Sequence, residues 1–148
     1  LKQSLLKDIL NQRVKFREGF RPFAPLVLEE NCGEYFEHDY PSPYMLKVYQ
    51  VRKEKRSIIP AVTHVDGSGR VQTVKETENP PMWNLINEFK KISGVPILIN
   101  TSFNIKGEPI VCTPKDAVDS FIRADIDYLV MGRLVVGKDG SPVNKYLD

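Results

Sequence analysis

An apolar run, Val95-Pro96-Ile97-Leu98-Ile99, stops abruptly at Asn100-Thr101-Ser102-Phe103-Asn104, and Ile105-Lys106-Gly107-Glu108-Pro109 then turns the chain. The run predicts a buried strand that ends where four small polar side chains begin. In an open α/β sheet, the crevice beyond the carboxyl ends of the strands is where ligands bind. Asn100, Thr101, Ser102 and Asn104 would offer neutral amide and hydroxyl donors to an anion there. The same residue types also cap ordinary turns, so the pattern alone leaves both readings open.

A second segment, Lys15-Phe16-Arg17-Glu18-Gly19-Phe20-Arg21-Pro22-Phe23-Ala24-Pro25, sets three cations among aromatics and prolines. Pro22 and Pro25 restrict the backbone. Partial burial of Phe16, Phe20 and Phe23 would hold Lys15, Arg17 and Arg21 in place, where a solvated basic face would leave them loose. Arginine's planar fork suits bidentate binding of phosphate or carboxylate.

The chain has 148 residues, 41% of them hydrophobic, enough for one domain with its own core. Its apolar runs reach about five residues, far short of the roughly 20 that span a bilayer. A net charge of +2 does not by itself point to nucleic acid. Charge is unevenly distributed: residues 1–21 carry six basic and two acidic side chains, residues 28–39 five acids and no Lys or Arg. Cys32 and Cys112 lack metal or CxxC spacing and are expected to be buried, reduced thiols. With no signal peptide visible, a cytoplasmic location follows as an expectation. The chain opens on Leu, as a piece of a longer protein would.

Periodicity predicts a short helix over 2–12, with Leu5, Leu6, Ile9 and Leu10 on one face, acting as a linker. Strands are expected over 25–30, 44–51, 58–62 (an edge strand, because Pro60 cannot donate) and 70–74. Asn79-Pro80-Pro81 opens a helix whose stripe Met82, Leu85, Ile86, Phe89 and Ile92 should face the core until Gly94 ends it. Thr113-Pro114-Lys115-Asp116 opens another in capping-box register, with Ala117, Val118, Phe121 and Ile122 inward. Strands over 128–131 and 134–136 follow, then a frayed tail from Lys138. Strand pairs alternate with helices, which predicts an α/β domain on a mixed, twisted sheet.

Several motifs, in order, resemble the C-terminal domain of the NodU/CmcH-type O-carbamoyltransferases. They are Val14–Glu18 with Arg21–Pro25, Pro60–Gly67, Arg70–Gln72, Gly94–Pro96 through Asn100–Asn104, Glu108–Val111 and Pro114–Ala117. The resemblance implies a YrdC-like fold over 13–148, a twisted α/β sheet with a concave basic face, preceded by a larger metal-carrying N-terminal domain. It implies that carbamoyl phosphate and ATP, with Mg²⁺, yield carbamoyl adenylate and pyrophosphate. The other domain would pass the carbamoyl group to a hydroxyl acceptor. YrdC enzymes carry a Lys-x-Arg and a Ser-x-Asn, matched here by Lys15-Phe16-Arg17 and Ser102-Phe103-Asn104, although Arg17 and Arg21 offer two registers for the arginine.

On that resemblance Lys15, Arg17, Arg21 and Arg70 are candidate clamps for phosphate charge, and Asn100, Thr101, Ser102 and Asn104 neutral donors. His64 and Asp66 carry the family motif beside the Arg70 strand. Glu108 either helps hold Mg²⁺ or forms an ion pair with Lys106 or an arginine. His38 is read as a surface residue. There is no Walker A sequence, no His-Cys cluster for zinc and no compelling Ser-His-Asp order. A threonylcarbamoyl adenylate synthase and an RNA-binding module of YrdC-like fold stand as alternatives, with nucleic acid and membrane the less expected partners.

Overall fold

The computed structural model describes residues 3–16, 18–19 and 21–138. The chain divides into two compact units: Leu1–Lys7 with Pro22–Thr101, and Asp8–Arg21 with Ser102–Asp148. The division runs through the polar loop itself, between Thr101 and Ser102.

The first unit is built on a four-stranded mixed sheet. Its strands are β1 (Ala24–Leu28), β2 (Lys47–Gln50), β3 (Ser68–Val74) and β4 (Ile97–Asn100), in the order β2-β3-β1-β4. β1 runs parallel to β3 and antiparallel to β4, and every one of its residues is buried, as a central strand requires. Pro25 fits there because the β1–β3 register begins only at Leu26↔Gln72, so no ladder bond to β3 is lost at the imide nitrogen. The expected strand over 25–30 stops at Leu28, where Glu29–Asn31 form a 3₁₀ turn leading into the single-turn helix α2 (Cys32–Tyr35). β2 is shorter than the alternation over 44–51 suggests. Met45 takes a left-handed φ of 57° in the turn Ser42–Met45, which no strand accommodates.

Ile58–Val62 is not a strand. Pro60 opens a 3₁₀ turn, Pro60–Val62, and Ile59, Ala61 and Val62 are buried with no sheet partner among the described residues. The long helix α3 (Pro80–Ser93) is capped as its sequence predicts: Asn79 accepts from the Met82 amide, and Gly94 closes it at φ 75°. Its core contribution is narrower than the stripe. Ile86 is fully buried with Leu26, Leu28 and Val74, flanked by Met82, Trp83 and Leu98, whereas Leu85 and Ile92 are exposed. Helical spacing marks a face, but only as much of it is covered as the short strands reach.

The second unit gathers the chain's early basic segment with its last third. Helix α1 (Gln3–Ile9), which begins in the first unit, runs into a π turn at Leu10–Val14, one residue per turn wider than an α-helix. The turn buries Asn11, whose amide donates to the carbonyls of Gly19 and Arg21 and folds the basic segment back on itself. Helix α4 (Pro114–Arg123) carries the full capping box, Thr113 accepting from the Asp116 amide and Asp116 from the Thr113 amide. A hairpin of β5 (Tyr128–Met131) and β6 (Leu134–Gly137) packs Leu129 on Ala117 and Phe121. Val118 and Ile122 face outward, contrary to their expected burial. The tail beyond Lys138 lies outside the described residues.

Both cysteines are free, but Cys112 is exposed rather than buried. Cys32 is buried, and its thiol is pushed up to about 11 by that burial with Asp39 and Glu29 nearby, so it stays protonated. His38 is exposed as expected, stacked on Tyr40 and edge-on to Tyr49. No helix among the described residues is long and apolar enough to cross a membrane.

Candidate functional site

In the second unit, Lys15 follows the π turn, with its amide donating to the Leu10 carbonyl at 2.8 Å. Its side chain is 6% exposed. The ammonium donates to the Ser102 carbonyl (2.7 Å), the Asn104 carbonyl (2.9 Å) and the Asn104 side-chain oxygen (2.9 Å), with Ser102 Oγ at 3.4 Å. A buried cation needs such oxygens around all its protons. The Ser102 hydroxyl donates to Asn104 Oδ1 at 2.7 Å, so the three side chains form one closed cluster.

The cluster forms one wall of an open cleft of about 330 Å³, lined by Lys15, Glu18, Arg21, Ser102, Asn104, Ile105, Lys106 and Gly107. Among the described residues, the cations Lys15, Arg21 and Lys106 and the acid Glu18 line this space. Arg21 is half-exposed and paired with Glu18 at 3.2 Å, an exposed pair that contributes little to stability and leaves the guanidinium able to exchange partners. Lys106 joins the lining although the sequence marked it only as a possible partner of Glu108. Phe16, expected to be partly buried, is 49% exposed and sits at a left-handed φ of 50°. Arg17 and Phe20 lie outside the described residues.

Glu108 pairs with Arg123 rather than with Lys106. Its Oε2 accepts from the Ser120 hydroxyl at 2.9 Å and from the Ile105 amide at 3.3 Å. Burial alone would push this carboxyl up, but the Ser120 and Ile105 hydrogen bonds and the Arg123 guanidinium outweigh it and hold it below its ordinary value. Oε2 thus faces two protein donors, whereas Oε1 is buried without a hydrogen-bond partner among the described residues and meets only the Arg123 guanidinium as an ion pair. Among the described residues, no three His, Cys, Asp or Glu side chains are grouped so as to hold a metal ion.

The other sequence-marked residues belong to the first unit. His64, Asp66 and Ser68 form a tight turn into β3, with the Gly67 amide donating to the His64 carbonyl at 2.9 Å. Ser68, which no sequence pattern singled out, is buried at its centre. Its hydroxyl donates to Asp66 Oδ1 at 2.7 Å, and its amide donates to the same oxygen at 3.0 Å. Those two bonds hold Asp66 below the ordinary carboxylate value. With the serine proton committed to the carboxylate, the His64 Nδ1 contact at 3.3 Å makes the imidazole the donor and leaves Nε2 as an acceptor. Burial lowers the His64 pKa, Arg70 lowers it further, and Asp66 only partly opposes them, so the ring is neutral at pH 7. Arg70 is exposed on β3, opposite Val48. The Asn100 amide, paired with Ala24 in the sheet, donates to Gln72 Oε1 at 2.6 Å, and Thr101 is exposed.

The fold is mixed α/β, with a Ser-x-Asn loop closed on a distant buried lysine beside a cleft that Arg21 and Lys106 also line. The sequence matches the family described as "Carbamoyltransferase C-terminus" over residues 2–138, and the chain belongs to that family. Nodulation protein NolNO of Sinorhizobium fredii is 50% identical over 89% of this chain and 20% of its own length. The 3'-hydroxymethylcephem-O-carbamoyltransferase of Amycolatopsis lactamdurans is 44% identical over 87% of the chain and 24% of its own length. Protein sll1178 of Synechocystis is 44% identical over 95% of the chain and 26% of its own length. The chain therefore spans about a quarter or less of the relatives it matches.

Proposed function

We propose that this chain is the activating domain of an O-carbamoyltransferase. In this reading it makes carbamoyl adenylate from carbamoyl phosphate and ATP, and a preceding domain with its own metal transfers the carbamoyl group to a hydroxyl. The observation that carries it is the closure of Ser102 and Asn104 on Lys15 in a cleft shared with Arg21 and Lys106. Fixed neutral donors beside exchangeable cations suit a site that must hold phosphate groups and release them. The Amycolatopsis relative, named as an O-carbamoyltransferase, supports the identity of the transferred group.

The reaction balances in two steps. Water cleaves carbamoyl phosphate to carbamate and inorganic phosphate, and a carbamate oxygen then attacks the α-phosphorus of ATP, expelling pyrophosphate. Within the second unit, Arg21 and Lys106 are assigned to phosphate charge, with Ser102 and Asn104 as positioning donors. Magnesium would arrive on the triphosphate.

The test is pyrophosphate and phosphate release by the full chain from labelled ATP, with and without carbamoyl phosphate. Pyrophosphate formed only when carbamoyl phosphate is present, with one phosphate for each, supports the reading. Adenylate formed from threonine and bicarbonate would replace it with the synthase. Tight, steeply salt-dependent RNA binding without nucleotide turnover would replace it with an RNA-binding module.

A further inference from the structure

We propose that Ser120 and Arg123 of α4 are positioning residues for the Ser102–Asn104 loop, acting through Glu108. The importance of that loop for turnover rests on the function proposed above; the geometry does not. Lysine has only donors, so the Asn104 side-chain oxygen must face Lys15 and its NH₂ must face away. The structure meets both demands at once. Oδ1 accepts from Lys15 (2.9 Å) and Ser102 (2.7 Å), while Nδ2 donates to the Glu108 carbonyl at 2.8 Å. A flipped amide would set NH₂ against an ammonium and oxygen against a carbonyl.

The Glu108 carbonyl is therefore what fixes the far end of Asn104, and it is itself held from two sides. The Glu108 amide donates to the Ile105 carbonyl at 3.2 Å, and the Ile105 amide donates back to Glu108 Oε2 at 3.3 Å, closing the turn reciprocally. The turn passes through Gly107 at φ 85°, a conformation with little stiffness of its own. Its anchor is the carboxylate. Ser120, 3% exposed, donates to Oε2 at 2.9 Å, and the Arg123 guanidinium abuts Oε1. A buried hydroxyl on a helix capped at both ends thus sets the orientation of an amide 16 positions earlier, through one acid.

The experiment has two arms on the full chain. The first follows the side-chain NH₂ signals of ¹⁵N-labelled Asn104. In the parent they should be separated and slow to exchange. Ser120→Ala should move them toward free asparagine, and Ser120→Thr, which keeps the hydroxyl, should restore them. Arg123→Gln, at a side chain 56% exposed, should shift them partway. The second arm measures kcat/KM for pyrophosphate release. Ser120→Ala should lower it about tenfold, but should add nothing in an Asn104→Ala background. Unchanged Asn104 signals in Ser120→Ala and Arg123→Gln, or independent multiplying losses in the double variant, would overturn the inference. A parent that forms no pyrophosphate would overturn the proposed function and leave the first arm to decide the positioning role.

Discussion

The Lys15 ammonium donates to the side-chain oxygen of Asn104 at 2.9 Å across 89 positions of sequence, and it spends its other protons on the loop's backbone carbonyls. Lys15 thus organises the loop before it can serve as a ligand. Lys15→Met should take this donor from the Ser102 and Asn104 carbonyls and leave Asn104 Oδ1 with the Ser102 hydroxyl, at a cost of about 1–3 kcal/mol. Lys15→Arg should not rescue it, because a planar fork does not fit a pocket shaped for three divergent protons. Urea denaturation of the three proteins checks this, and an arginine variant as stable as the parent would refute it.

Ser102→Ala and Asn104→Ala should spare the fold and weaken binding of carbamoyl phosphate or ATP by roughly 10- to 150-fold, the value of a hydrogen bond to a charged ligand. Titration calorimetry with each ligand separately, alongside melting curves, separates lost binding from lost structure. Parental affinity in both variants would reduce the loop to a turn.

What could be read from the sequence was whatever depends on near neighbours. Asn79 and Gly94 bound α3, and Thr113 with Asp116 opens α4, because caps act within one helical turn. The polar loop stood out because it broke an apolar run. Spacing defines a face without saying where its cover stops, so it does not show that Leu85 and Ile92 lie exposed. The apolar character of 58–62 does not distinguish a strand from the 3₁₀ turn that forms there, since Pro60 suits the start of a turn as well as an edge strand. Ser68, Asn11 and Ser120 carried no local signal. Each is a small polar residue whose burial depends on partners that only folding supplies.

Gly67 sits at φ 81° with the Arg56 guanidinium lying where a β-carbon would go. Arg56 is held there by its bonds to the Val51 carbonyl and Gln50. Gly67→Ala should cost on the order of 2 kcal/mol, part from the left-handed backbone and part from displacing Arg56. Adding Arg56→Ala should recover only the second part. Full recovery in the double variant would show that the backbone conformation is not strained for alanine.

The Lys138 ammonium donates to the carbonyls of Phe121, Ile122 and Ala124 at the end of α4 and lies 5.1 Å from the Phe121 ring centre. It caps carbonyls that have no intrahelical partner and meets the negative end of the helix dipole. Lys138→Met should cost about 1 kcal/mol and speed amide exchange in the last turn of α4 and in β6. Exchange rates there identical to the parent's would rule out the cap.

The acid limb of stability should carry the signature of Glu108. Its folded carboxyl lies below the ordinary value of 4.5, because hydrogen bonds from Ser120 and Ile105 and the Arg123 charge outweigh burial. The unfolded chain therefore takes up the proton first as pH falls. The stability due to this shift is complete above the ordinary value and is lost as pH drops from there through the lower folded value. Asp116, held down by the Thr113 hydroxyl and amide and by the Cys112 amide, adds a similar loss starting from its ordinary 3.8. Glu108→Gln should be less stable than the parent at pH 7, and the gap should shrink as the parent passes through this window. Asp116→Asn should leave the Glu108 part of the limb in place. Denaturant midpoints measured from pH 7 down to about 3 decide it, and parallel curves for parent and Glu108→Gln would show that the carboxylate contributes nothing through its charge.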